Sequence, residues 1–228
     1  MRYPSPNDKQ CVSAIAIISF MFVGWVFFTG FNQVVGAYDT DILRFFYPLR
    51  HFVHQEVLEG RLPLWNPHLI YGMPLHSEGQ AGLAYPLHLL TTPLPTTVAV
   101  NLHAVIHVFL AGLFMFYYLN SLRISRFAAL ISASVYMLSS FAVGRLYAGH
   151  YSMWPFLAIL PGMLWVWQRF LQSGNLRWIP SAALLYASGI LAGFPQSVFY
   201  MSIYLGWIMV WTFCGRCICQ RKRSKSTA

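Results

Sequence analysis

The residues best suited to chemistry lie in one stretch, residues 38–95, which holds five of the six acidic residues and five of the eight histidines. Its first two acids, Asp39 and Asp41, are one residue apart. Such a pair can supply a general base for an acceptor hydroxyl, or can hold a divalent cation such as Mg²⁺ or Mn²⁺ beside a phosphate. The alternative is that the two carboxylates only cap the helix that follows.

Further polar side chains lie in apolar surroundings along the rest of the chain. His103 and His107 are four residues apart and share one helix face, as a hydrogen-bonded interior pair or, alternatively, as metal ligands. Arg145 and His150 fall in GRLYAGHYSMW, which we predict to be a short loop. Ionisable groups at membrane depth usually face a cavity. The predicted substrate-binding residues are Arg145, His150, His103, His107, Gln196, Trp65 and Gln80.

The elements that must position these residues are apolar helices. The chain is 57% apolar and only 9% charged, its mean hydropathy is +0.52, and its apolar runs are long enough to cross a bilayer. We predict an all-α, polytopic membrane bundle forming a single membrane domain. A cleaved signal peptide is a poorer explanation for the first run, which is longer than the apolar part of such a peptide. The six predicted spans are residues 11–31, 96–119, 127–143, 154–170, 176–192 and 194–213.

The segment 32–95 is predicted to be a long loop on the outer side of the membrane. Apolar residues from Ile42 to Val57 recur every three or four positions, which predicts an amphipathic helix lying along the membrane surface. Arg44, Arg50, His51, His54 and Glu59 are expected on its other faces. Asp39 or Thr40 should cap this helix, Pro48 should kink it and Gly60 should end it. The proline-rich remainder cannot form a long helix.

The net charge of +9 does not indicate nucleic-acid binding, because the basic residues lie between and after the apolar runs. Eleven lysines and arginines fall on the side of the N-terminus and four on the other. This asymmetry predicts a protein of the inner (plasma) membrane with both termini in the cytoplasm and a basic cytoplasmic tail, residues 214–228. Three cysteines near this tail lack a fourth zinc ligand, so we interpret them as ordinary thiols, with lipidation as the alternative.

Several motifs together resemble a known family. The acids Asp39 and Asp41 are followed by YPLRHF, GRLPLWNP, GMP and YPLH, and later by GRLYAGH and AGFPQ. This series, from about residue 39 to residue 200, resembles the N-terminal part of YfhO-like bacterial membrane proteins, which are similar to GT-C glycosyltransferases. The resemblance implies transfer of a sugar from a polyprenyl-phosphate carrier to an acceptor outside the membrane, with Asp39 as the catalytic acid position and Asp41 as the second acid.

Two departures from the family pattern affect this interpretation. Phe194 stands where relatives commonly have histidine, and those relatives are much longer. We therefore expect an N-terminal part of a longer architecture, which inserts into the membrane alone but transfers sugar only with a second polypeptide. Two non-enzymatic alternatives stay open: a truncated, inactive paralogue or scaffold, and a transporter or lipid-handling protein.

Overall fold

A computed structural model describes residues 6–29 and 33–226, with side chains described as far as Gly215. The predicted all-α fold is confirmed. The helices are α1 (Asp8–Val23), α2 (Tyr47–Leu58), α3 (Pro86–Thr91), α4 (Thr96–Ser121), α5 (Arg126–Met137), α6 (Ser140–Tyr147), α7 (Trp154–Ser173), α8 (Trp178–Leu191) and α9 (Pro195–Ser226). The two strands, β1 (Trp65–Asn66) and β2 (Met73–Pro74), form one antiparallel hairpin.

Four helical segments within the described residues are long and apolar enough to cross a membrane: Asp8–Phe27, Thr96–Ser121, Arg126–Tyr147 and Pro195–Gly215. By length and composition the chain is therefore a membrane protein. The last two residues of the first predicted span, 30 and 31, lie outside the described residues. The predicted span 154–170 falls on α7, which contains Pro161 and is not one of these four segments. The predicted span 176–192 falls on α8, whose 14 residues reach only about 21 Å, less than the hydrocarbon core of a bilayer.

The described chain forms two compact units, the first ending at Phe194 and the second, which consists of α9, beginning at Pro195. In the first unit α4 is the central helix and packs against α1, α5 and α7. Gly112 of α4 makes room for side chains of α5 and α1, because a Cβ atom there would lie 2.4 Å from Met137 Sδ and 2.8 Å from Ile15 Cγ2. Small residues let the helices of a membrane bundle approach each other closely.

The predicted span 127–143 is interrupted. Helix α5 ends at Met137, and α6 restarts where the Ser139 hydroxyl accepts a hydrogen bond from the Ala142 N–H at 3.4 Å. A serine at this position satisfies one of the free donors of a new helix. Helix α6 then continues to Tyr147, so the prediction that Arg145 lies in a loop is wrong: it lies in the last turn of α6.

The amphipathic helix predicted after Asp41 exists, and its apolar face is confirmed. Ile42, Phe46, Leu49 and Val53 are all buried, at steps of four, three and four residues. Two residues contradict the pattern: Val57, expected on the apolar face, is 38% exposed, and Arg50, expected on a polar face, is only 4% exposed. The position of Arg50 has a simple reason. Arg50 follows Leu49 directly and precedes Val53 by three positions, which places it at the edge of the buried face.

The ends of this helix follow from its proline and glycine. Residues Ile42–Phe46 form a π-helical turn in which the Tyr47 N–H bonds to the Ile42 carbonyl, and Pro48, which has no N–H, follows at once. The predicted irregularity at Pro48 therefore takes the form of a π turn just before it. Gly60 ends the helix as predicted, with a φ of +73°.

Candidate functional site

Asp39 stands before the π turn, and its carboxylate is held by a cation. It accepts hydrogen bonds from Arg44 Nε at 2.7 Å and Nη2 at 2.5 Å, and both side chains are more than half exposed. The Thr40 hydroxyl donates to the Ala37 carbonyl at 2.7 Å. Neither Asp39 nor Thr40 therefore caps the helix with its side chain, and that prediction is wrong.

Asp41 belongs to a second polar group formed with two residues more than a hundred positions away. Arg145 Nη1 donates to His150 Nδ1 at 2.7 Å, and His150 Nε2 lies 3.4 Å from Asp41 Oδ2. A guanidinium can only donate, so His150 Nδ1 is the acceptor and the proton of the neutral ring is on Nε2, facing the carboxylate. The result is a chain of carboxylate, imidazole and guanidinium. The structure thus brings together Asp41, His150 and Arg145 of the predicted site.

Close packing of two backbone segments produces this arrangement. The Ala37 N–H donates to the Tyr147 carbonyl at 3.0 Å, which ties the segment before Asp39 to the end of α6. Gly149 has a φ of +72°, and a Cβ atom there would lie 2.5 Å from the Ile42 backbone nitrogen. Trp154 Nε1 donates to the carbonyl of Arg145 at 3.2 Å and fixes the last turn of α6 from the other side.

An apolar cavity of about 560 Å³ borders the same segments. Its lining includes Val23 at the end of α1, Val26 in the 3-10 turn that follows α1, Leu43 of the π turn, and Leu146 and Tyr147 of α6. Leu43 is next to Arg44 in the chain and Leu146 is next to Arg145. The cavity therefore shares walls with the elements that carry both polar groups, and its lining suits a hydrocarbon chain.

His103 and His107 lie in the interior of the first unit, away from these exposed acids. His107 Nδ1 donates to the His103 carbonyl at 2.7 Å, and its Nε2 accepts from the Tyr85 hydroxyl at 2.6 Å. The His103 ring stacks on Tyr151 with centroids 4.2 Å apart. His107 is thus a hydrogen-bonded interior histidine. Tyr151, on which His103 stacks, directly follows His150 in the chain.

Trp65 and Gln80 lie in the loop, on the hairpin and a short 3-10 turn. Trp65 pairs with Pro74 in the hairpin and covers Gly72, where a Cβ atom would lie 2.8 Å from the indole. Gln80 packs through its backbone against Gly193, where a Cβ atom would lie 3.1 Å from Gln80 Cα.

Gln196 belongs to the second unit. It stands in the first turn of α9, where its amide donates to the Tyr200 hydroxyl at 3.1 Å.

The residues present do not fit a bound divalent cation. Such ions take six or more oxygen ligands, several of them carboxylates or carbonyls. Asp39 is engaged by Arg44 and Asp41 faces His150, so a cation would have to displace both partners. Within residues 6–29 and 33–226 there is no group of three or more histidine, cysteine or carboxylate side chains placed to share an ion.

The contacts of Arg44, Arg50, His88 and Tyr151 were not predicted from the sequence. Arg44 could have been found, since it follows Asp39 by five residues within one predicted helical start. Arg50 could have been suspected from its position between Leu49 and Val53. Nothing local in the sequence indicates that His88 and Tyr151 meet.

Comparison of the chain with models of protein families, with curated proteins and with solved structures finds no match. The resemblance to YfhO-like proteins therefore stays a prediction from the motifs themselves, and the geometry of the polar groups and the cavity carries the functional argument.

Proposed function

We propose that the chain is a GT-C-like membrane glycosyltransferase, or part of one, which moves a sugar from a polyprenyl-phosphate carrier to an acceptor outside the cytoplasm. The observation that carries this proposal is the row Asp41, His150 and Arg145 beside an apolar cavity. A lipid-phosphate donor needs an apolar wall for its chain and cations for its phosphate, and both are present within one group of elements.

The chemistry assigns one role to each kind of side chain. The acceptor oxygen forms a bond to the anomeric carbon of the sugar while the bond from that carbon to the phosphate oxygen breaks. The electron pair of the broken bond goes to the phosphate, and the acceptor proton goes to Asp39 or Asp41 as general base. Arg145, with Arg44 close to the same turn, stabilises the charge that develops on the leaving phosphate.

The membrane orientation is part of the proposal. The lysine and arginine asymmetry favours cytoplasmic termini, which would put Asp39, Asp41 and Arg145 on the outer side of the inner membrane. There the polyprenyl chain would lie along the apolar cavity, with its phosphate at the arginines.

Binding and transfer of a radiolabelled polyprenyl-phosphate sugar test the proposal in crude membranes containing the full chain, so that any partner polypeptide is retained. Asp39→Asn and Asp41→Asn should bind the donor but lose transfer, because each change keeps the shape and removes a base. Arg145→Lys should weaken donor binding and Arg145→Ala should weaken it more, since lysine offers only a point charge. Glu59→Gln and Arg61→Lys, at an exposed ion pair of the same loop, are the matched controls.

Wild-type donor binding with no transfer, unchanged in both aspartate variants, would favour the second candidate, a non-catalytic lipid-handling protein. The apolar cavity favours that candidate, because it can hold a lipid chain without any reaction. No donor binding by the wild type, or equal binding by Arg145→Ala, would contradict both assignments.

A further inference from the structure

The strongest feature outside the proposed site is the guanidinium of Arg50 in α2, which is 4% exposed. Its Nη2 donates to the Thr92 hydroxyl at 2.9 Å and to the His88 carbonyl at 3.4 Å, both at the end of α3. Its Nε and Nη1 groups have no hydrogen-bond partner within the described part of the chain. Capping of α3 needs only the Nη2 group of Arg50, so it does not explain why Nε and Nη1 are buried without partners.

No carboxylate offsets the charge of Arg50 among the contacts of the described residues. The ion pairs formed by arginines there join Asp8 to Arg126, Asp39 to Arg44, and Glu56 and Glu59 to Arg61. Burial lowers the pKa of Arg50, but a guanidinium keeps its proton in proteins. A buried charge without a counter-charge is strongly unfavourable unless a ligand supplies one.

Both ring nitrogens of His103, whose ring contacts His88 and Tyr151, lack hydrogen-bond partners within the described residues, and so do two further polar atoms beside Arg50. These two atoms are the Tyr151 hydroxyl oxygen and His88 Nε2. The rings of Tyr151 and His88 stack with centroids 5.1 Å apart and planes 9° apart. Burial raises the pKa of Tyr151 to about 12, and the nearby charge of Arg50 opposes that rise, so the phenol keeps its proton and can donate.

The tautomer of His88 completes the chemistry of the cluster. Its Nδ1 donates to the Gly82 carbonyl at 2.8 Å, so Nε2 of the neutral ring is an acceptor. Burial and the charge of Arg50 lower the pKa of His88, which favours the neutral ring. The cluster therefore offers a cation with two free donor groups, one hydroxyl donor and one acceptor.

We propose that Arg50, Tyr151 and His88 form a buried binding site for one phosphate-type oxyanion, either free phosphate or the phosphate monoester headgroup of a lipid. The oxygens of the anion accept from Arg50 and Tyr151, and its remaining P–OH group donates to His88 Nε2. This site is separate from Arg145 and does not depend on glycosyl transfer.

The position of the site implies that α3 must open for the anion to enter. Residues 82–92 carry His88, and they hold the buried Arg50 through the Thr92 hydroxyl and the His88 carbonyl. A bound anion should hold this segment in place, so amide hydrogen exchange in residues 82–92 should slow when the site is filled.

Thermal unfolding of the full chain in phosphatidylcholine nanodiscs tests the proposal with two probes at constant ionic strength. One arm adds inorganic phosphate against chloride, and the other adds phosphatidic acid to the nanodisc. The wild type should show a saturable rise in Tm, with slower exchange in residues 82–92, in at least one arm. A rise only with phosphatidic acid identifies a lipid headgroup, and a rise only with phosphate identifies the free anion.

The variants decide whether the cluster holds the anion. Arg50→Lys should weaken binding by about tenfold, because it keeps the charge and loses two donors. Arg50→Gln should abolish binding and Tyr151→Phe should weaken it, whereas Arg61→Gln, an exposed arginine of the same loop, should bind as the wild type does. Arg50→Lys and Tyr151→Phe answer the question even if Arg50→Gln does not fold. No saturable shift in either arm, or wild-type affinity in Arg50→Lys and Tyr151→Phe, would overturn the proposal.

Discussion

Replacement of Gly149 by alanine tests the packing that brings Asp41 to His150. Gly149 has a φ of +72°, which is in the left-handed region that alanine avoids. The added Cβ atom would also lie 2.5 Å from the Ile42 backbone nitrogen and 2.7 Å from its Cβ. Neither atom is the end of a flexible side chain, so the two segments must move apart.

The magnitude follows from two terms. A left-handed conformation costs a non-glycine residue about 1–2 kcal/mol. Forcing an extra carbon into a filled space costs typically about 1–3 kcal/mol. We therefore expect Gly149→Ala to lower the free energy of unfolding by about 2–5 kcal/mol, which for a chain of this size corresponds to a fall in Tm of about 4–20 °C. A shift of about 1 Å between Asp41 and His150 could also lower a transfer rate by roughly a hundredfold.

The assay is thermal unfolding of the purified full chain in detergent, followed by helical circular dichroism. Gly144→Ala is the matched control: it lies in α6, has open space around its Cα and has no positive φ. Alanine in a helix interior is favoured over glycine by about 0.5–1 kcal/mol, so this control should be neutral or more stable. If both variants unfold at the wild-type temperature, the contact between residues 36–42 and 145–150 is looser than described and the reasoning fails.

Three further predictions concern pH, topology and the turn before α9. Burial keeps the pKa of His88 well below its ordinary value, so protonation of His88 favours the unfolded chain. The free energy of unfolding should therefore fall as the pH drops below about 6.5, and His88 contributes up to about 1.4 kcal/mol per pH unit to this fall. His88→Gln should unfold with a shallower acid dependence, and an unchanged slope would contradict this. In a cysteine-free chain, Ser77→Cys and Tyr147→Cys should react with an impermeant thiol reagent in intact cells and Ser173→Cys should not; the reverse pattern would invert the orientation. Gly193→Ala should lower the Tm sharply, because its Cβ atom would lie 1.9 Å from the Gly79 carbonyl oxygen. A wild-type Tm would contradict this prediction and show that the 79–82 turn can move away at little cost.

The hydrophobic pattern predicted which elements form and which faces are buried. The steps of three and four between Ile42, Phe46, Leu49 and Val53 sufficed for the helix after Asp41, because side-chain direction along a helix depends only on local geometry. The long apolar runs likewise predicted the class, since a chain in lipid must satisfy its own backbone groups. Boundaries were less predictable where a capping serine restarted α6 inside an apolar run.

The candidate acids, His150 and Arg145 were predicted from the sequence, but the row in which Asp41 faces His150 and His150 bonds to Arg145 was not. Asp41, Arg145 and His150 were each predicted as site residues, but nothing in the sequence indicated that they meet. Residues a hundred positions apart show no joint pattern in a single sequence. Their contact depends on Gly149, which has no side chain and so leaves room for the backbone nitrogen of Ile42. That approach is a property of how two segments pack.

Arg50 shows the same division most sharply. Its residue type and the helical period together predicted a charged side chain near water, and the period alone could only place it at the edge of an apolar face. In the folded chain, Arg50 is buried and bonds to the Thr92 hydroxyl and the His88 carbonyl at the end of α3. The sequence by itself determined the helices, their apolar faces and the inventory of polar groups; the tertiary structure decided which polar groups meet and which are buried, because those outcomes depend on contacts between segments that are distant along the chain.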